Sequence, residues 1–138
     1  RRVNTMKEFH LEIVTPDGLA YEGMIESLLV NTSEGTVEFL AGHIDYVTSL
    51  GIGKIRIKEN GRDRFASVSG GFVTVSQSEV KLVAITFEFA ENIDIDRAKL
   101  AKQRAADVIA TSKDSKAVEI AKLKLQRALS RIKVYELK

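Results

Sequence analysis

The stretch from Ile93 to Lys138, IDIDRAKLAKQRAADVIATSKDSKAVEIAKLKLQRALSRIKVYELK, holds no glycine and no proline. All nine glycines and the only proline of the chain lie at or before Gly71. Apolar positions in the stretch recur at spacings of three and four: Ile95, Ala98, Ala101, Ala105 and Val108, then Val118, Ala121, Leu125, Ala128, Ile132 and Tyr135. That is the period of a helix with one buried stripe. Asp94 is placed to cap the first helix, and Asp96 favours its positive N-terminal end. Thr111–Ser115 interrupts the pattern, with Asp114 or Ser115 able to cap a second helix. Two helices, over about 94–110 and 115–135, are expected to fold as an antiparallel hairpin joined by a short polar loop. Their contact stripe is rich in alanine, so the helices approach closely but bury little area. At roughly 25 cal/mol/Å² such a stripe is weak cement, and a weakly held hairpin can open.

Ahead of this tail the period changes to two. Phe9, Leu11 and Ile13 alternate with His10 and Glu12, the pattern of a strand with one buried face. Pro16-Asp17-Gly18 signals a turn. Met24–Val30, Val37–Leu40, Ile44–Leu50 and Lys54–Lys58 read as further strands. Asn60-Gly61 before Phe65–Val68 is a hairpin signal, because a type I′ turn needs positive φ at both central residues. Gly71–Ser76 and Glu79–Phe87 are expected to pair around Gln77-Ser78. Gly70-Gly71 precedes a strand rather than a helix, so it suits a bulge or a close strand approach, not a phosphate loop. Short strands separated by turns imply an antiparallel β-sandwich, or flattened barrel, over 6–90. With the hairpin over 91–138 the fold class is α+β. Arg1–Thr5 reads as residues left from cloning ahead of Met6.

Composition narrows the function. With 44% apolar and 29% charged residues the chain has a soluble, folding composition. It contains no run of apolar residues long enough to cross a bilayer. Cysteine is absent, which removes thiolate chemistry, and two histidines are too few and too separated for a histidine-rich metal site. The net charge of +2 conceals an asymmetry: residues 1–92 carry −4 and residues 93–138 carry +6, from 12 Lys/Arg against 6 Asp/Glu. A basic tail on an acidic body suits an anionic partner, or simply a solvated helix face with surplus lysine.

Thr15-Pro16-Asp17-Gly18 with Tyr21 and Gly23, then Glu34-Gly35, Gly42-His43, Val68-Ser69-Gly70-Gly71-Phe72 and Ile93-Asp94-Ile95-Asp96-Arg97-Ala98, resemble in order the signatures of the bacterial F-type ATP synthase ε subunits. The resemblance covers nearly all of Met6–Lys138. It implies a non-catalytic rotor-stalk subunit whose sandwich contacts the γ subunit and the c-ring. Its C-terminal helices would regulate ATP hydrolysis, permitting turnover when folded on the sandwich and braking it when extended into the α/β catalytic head. It also implies a peripheral position on the cytoplasmic face of the bacterial membrane, associated with it only through the complex. The family's c-ring contact maps to Glu34, Thr36 and His43. Here the chain departs from the family: Ala41-Gly42-His43-Ile44-Asp45 lacks two prolines common in that loop, which should loosen it.

In Bacillus-like members of the family the folded hairpin binds ATP at an Ile/Leu-Asp-x-x-Arg-Ala motif, matched here by Ile93, Asp94, Arg97 and Ala98. Arg104 lies seven residues beyond Arg97, on the same helix face, and Arg127 and Arg131 share a face of the second helix. In an antiparallel hairpin these guanidinium groups can converge on a triphosphate, for which planar, permanently charged, bidentate donors are suited. Glu88 and Asp94 would accept from the adenine amino group or a ribose hydroxyl, with Ile93 and Ala98 against the ring. The competing structural roles are plain: Asp94 as an N-cap, Arg97 paired with Asp94 or Glu91, and Arg127 and Arg131 as solvated helix residues. With no Walker lysine, no metal-binding carboxylate pair and no poised base, ATP is expected as a regulatory ligand, needing no metal, and not as a substrate.

Two other classes are weaker. A nucleic-acid-binding module would lay the basic hairpin on phosphates, but the tail carries only Tyr135 for stacking and the sandwich lacks a basic aromatic face. A small sandwich enzyme has no Ser/His/Asp spacing behind it.

Overall fold

The computed structural model describes residues 7–32, 34–77 and 79–138. Residues 1–5, read above as left from cloning, lie outside these, as does Ser78 of the expected Gln77-Ser78 turn. Among the described residues ten strands form two sheets: β1 (Phe9–Thr15), β2 (Gly18–Ile25), β3 (Ser27–Thr32), β4 (Gly35–Leu40), β5 (Tyr46–Ser49), β6 (Gly53–Glu59), β7 (Arg62–Ser69), β8 (Phe72–Ser76), β9 (Glu79–Val83) and β10 (Thr86–Phe89). The first sheet has the order β2-β1-β9-β8-β5 and the second β10-β7-β6-β3-β4. A 3₁₀ turn, Ala90–Asn92, leads into α1 (Ile95–Thr111) and α2 (Ser115–Tyr135).

Alternation decides which residues form the core between the sheets. Phe9, Leu11 and Ile13 of β1, Ile55 and Ile57 of β6, Val73 and Val75 of β8 and Val80 and Leu82 of β9 are buried, while the intervening polar residues face outward. Each such fully buried side chain contributes on the order of 1.5–3 kcal/mol. The Asn60-Gly61 turn has the positive φ at both positions that the sequence demands, 53° and 75°. Gly71, at φ +100°, brings its backbone against the carbonyl of Val83, where a Cβ would collide. The close strand approach expected of Gly70-Gly71 is therefore present.

Two runs expected as single strands are divided. Met24–Val30 breaks at Glu26, whose N–H donates to Lys58 O across 2.8 Å, leaving β2 in the first sheet and β3 in the second. Glu79–Phe87 breaks between Ala84, bonded to Val14 O of the first sheet, and Ile85, bonded to Ser69 O of the second. Both runs carry apolar residues across a corner where the chain passes from sheet to sheet, so hydrophobicity alone does not mark the break. One strand pair also departs from the antiparallel pattern: β1 and β9 run parallel, Leu11 opposite Val80 and Ile13 opposite Leu82. Parallel neighbours need a long crossover, and here the intervening strands provide it.

The hairpin is folded down on the sandwich, an arrangement left open by the sequence. Ala98 and Ala105 of α1 and Ala121 and Ala128 of α2 are buried, whereas Ser130 and Val134 of α2 are buried where that helix lies on the second sheet. Ser130 Oγ and Ser67 Oγ of β7 hydrogen-bond across 2.8 Å in this buried contact. Asp94 caps α1 by accepting from Arg97 N, and Asp114, not Ser115, caps α2 by accepting from Lys116 N.

Candidate functional site: a cationic groove in the helical hairpin

The groove between the helices inherits its charge from helix geometry. Arg97 and Arg104 are two turns apart on one face of α1; Arg127 and Arg131 are one turn apart on α2. Because the helices run antiparallel, all four line one cavity of about 630 Å³, together with Lys124. A smaller adjoining cavity of about 260 Å³ is lined by Glu88, Asp94, Arg97, Ala98, Ala101 and Arg131. Seven of the eight residues singled out from the sequence for nucleotide binding thus meet at these two cavities.

Ile93 does not line them. Its side chain is buried with Ala90 and Val134, and Phe65 and Tyr135 pack against that group. It anchors the chain where the sandwich ends and the hairpin begins.

Pairing within the groove is sparse. Arg131 Nε donates to Glu88 Oε1 of β10 across 2.9 Å, tying α2 to the edge strand of the second sheet. Among the described residues Arg97, Arg104 and Arg127 make no ion pair, and Arg127 Nε is buried without a hydrogen-bond partner. The alternative partner considered for Arg97 is occupied elsewhere. Glu91 accepts from Arg64 Nη2 at 2.8 Å, and this bond above all holds its carboxyl below the usual range. Arg64 in turn stacks over Phe89, 3.8 Å from the ring centroid. Asp94 spends one carboxylate oxygen on its cap, at 3.1 Å from Arg97 N. An unpaired buried donor beside several unneutralised guanidinium groups makes the groove receptive to a multiply charged anion.

Sequence reasoning missed several lining residues. Lys124 is three residues before Arg127 and seven before Arg131, a helical-face signal that was available. Leu100 lines the groove between Arg97 and Arg104, and Val108, Ala117 and Ile120 line its far end. Val108, expected in the buried stripe, is exposed there, whereas Ala105 and Ala121 are buried.

The three residues assigned to a c-ring contact fall at one edge of the sandwich. Glu34 Oε1 accepts from Tyr46 Oη at 3.3 Å, and Thr36 Oγ1 donates to Asn31 Oδ1 at 3.0 Å. The His43 ring packs edge-on against Phe39 with centroids 4.9 Å apart. His43 N also donates to Leu40 O, so this loop closes on a backbone bond without the prolines.

Comparison with known proteins extends these observations. The family model described as ATP synthase, Delta/Epsilon chain, beta-sandwich domain matches residues 8–90, and the model for that family's long alpha-helix domain matches residues 91–136. The chain is 41% identical over 129 residues to the ATP synthase epsilon chain of Bacillus pumilus, covering 94% of this chain and 98% of that one. It is 42% identical, with the same coverage, to the epsilon chain of Bacillus velezensis. It is also similar in fold to a chain in the Euglena gracilis mitochondrial ATP synthase OSCP/F1/c-ring structure, with a TM-score of 0.79 at 21% identity over 93% of this chain and 81% of that chain. A chain of the Tetrahymena thermophila mitochondrial ATP synthase central stalk/c-ring gives a TM-score of 0.57 at 13% identity, covering 97% and 98%. The chain belongs to the ATP synthase delta/epsilon chain family, and within it to the epsilon chains.

Proposed function

We propose that this chain serves as the epsilon subunit of the central stalk of a bacterial ATP synthase, without catalytic activity of its own, and that its folded hairpin is a regulatory ATP clasp. The sandwich would face γ and the c-ring, and the helices, once extended, the α/β head. Among the described residues no helix is long and apolar enough to cross a membrane, which suits a subunit held at the cytoplasmic face of the membrane through the complex.

One observation carries the ATP reading: guanidinium groups from both helices line one groove, and among the described residues only Arg131 of them has a carboxylate partner. Without a ligand these like charges work against closure. A triphosphate bridging them reverses the sign of that interaction and ties α1 to α2. A ligand that binds the closed form alone stabilises it by about 2.7 kcal/mol at a hundred times its Kd. The alanine contacts between the helices are small enough for that increment to matter, so low ATP favours opening and braking.

Calorimetric titration of the intact chain with ATP and with GTP tests the clasp. Saturable heat with ATP is expected, and its absence at millimolar ligand would remove the sensor role. Independently, the subunit reading predicts co-purification with γ and an altered ATPase rate of the reconstituted complex when residues 115–138 are deleted.

A further inference from the structure

We infer that Lys124, together with Arg104, reads the terminal phosphate of the bound nucleotide and so separates a nucleoside triphosphate from a diphosphate. This rests on the ATP clasp proposed above and assigns a residue outside its motif.

Arg104 lies seven residues from Arg97, and Lys124 seven residues from Arg131. At the helical rise of about 1.5 Å per residue each pair is roughly 10 Å apart along its helix. Since the helices are antiparallel, Arg97 and Arg131 stand at the sandwich end of the groove and Arg104 and Lys124 stand farther out. The cationic stripe is therefore elongated, a shape that a chain of phosphates fills and a single phosphate does not.

Which end takes the base follows from charge. Glu88 and Asp94 stand at the sandwich end, in the smaller cavity beside Ala98. Carboxylates accept from amino and hydroxyl groups and repel phosphate oxygens. Among the described residues no Asp or Glu lines the larger cavity. The base and sugar are thus directed to Glu88 and Asp94, and successive phosphates extend away from them, towards Arg104 and Lys124. Beyond Lys124 the lining turns apolar, at Val108, Ala117 and Ile120, and offers nothing to a longer polyphosphate. Lys124 meets only the last phosphate that fits. Its ammonium is a mobile point charge on a long stem, suited to closing over a terminal group.

The test measures ATP and ADP affinities by calorimetry for the intact wild-type chain, for Lys124→Gln and for Lys124→Arg, with helix content checked by circular dichroism. Lys124→Gln is expected to weaken ATP about five- to tenfold while ADP changes by less than about twofold, the scale of one charge-assisted contact. Lys124→Arg should restore the ATP preference. Equal weakening of both nucleotides, or no change in the ATP-to-ADP ratio, with wild-type binding intact, would overturn this assignment alone. Absence of ATP binding by the wild-type chain would overturn the clasp and this assignment together.

Discussion

Arg131 Nε of α2 stands 2.9 Å from Glu88 Oε1 of β10, so one guanidinium joins the second helix to the sandwich at the mouth of the cationic groove. Both side chains are only half-buried, which limits the pair to roughly 0–1 kcal/mol of stability by itself. Its larger consequence is positional. Arg131 is held where it lines both cavities of the groove. Arg131→Ala is expected to leave the unfolding free energy within about 1 kcal/mol of wild type yet weaken ATP tenfold or more. Urea melts and calorimetry on the same samples separate the two effects.

The Ser67–Ser130 hydrogen bond is the buried polar contact beneath α2. Removing one hydroxyl strands the other in an apolar setting, whereas removing both removes the demand. Ser130→Ala should cost about 1–2 kcal/mol. The Ser67→Ala, Ser130→Ala double variant should lie close to wild type. A double-mutant cycle by chemical denaturation measures the coupling, and simple additivity of the two losses would refute it.

Gly71→Ala should be among the most damaging single changes in the sandwich. A Cβ at its φ of +100° would run into the Val83 carbonyl, which is backbone and cannot rotate away. A loss of about 3 kcal/mol or more is expected. Gly18→Ala, at φ +117° but with nothing within 4 Å, should cost only about 1–2 kcal/mol. Thermal melts of the two variants side by side provide the comparison.

His10 gives the sandwich a pH dependence. On β1 its ring lies between Glu22 of β2, 2.9 Å from Nε2, and Glu79 of β9, 3.4 Å from Nδ1. The hydrogen bond to Glu22 is the largest cause raising its pKa above the ordinary 6.5; desolvation opposes this and Glu79 adds to it. A raised folded-state value means stabilisation that is complete below 6.5 and disappears as pH rises through the folded-state pKa. Wild type should therefore exceed His10→Gln in stability at about pH 5.5 by up to about 1 kcal/mol and match it near about pH 8.5. Denaturation midpoints of both proteins across this range check the sign, and a gap that widens at alkaline pH would contradict it.

Local physics made much of this protein legible in its sequence. The helical period over Ile95–Thr111 and Ser115–Tyr135, the cap at Asp94, the Asn60-Gly61 turn and the alternation in β1 each depend on residues within a few positions of one another. Steric limits on φ, capping geometry and side-chain period act at that range, so composition and spacing reveal them. The convergence of Arg97, Arg104, Arg127 and Arg131 followed as well, because an antiparallel hairpin with a short loop has few alternative registers.

Only the tertiary structure decided the remainder. The breaks at Glu26 and between Ala84 and Ile85 arise because the chain changes sheets there, and a hydrophobic run reads the same on either side of such a corner. The parallel pairing of β1 with β9 joins segments far apart in sequence. Burial of Ile93 against Val134, the Arg131–Glu88 link and the folding of α2 onto the second sheet likewise depend on contacts made across the fold. Periodicity specifies which face of an element seeks burial, but long-range packing chooses the partner that buries it.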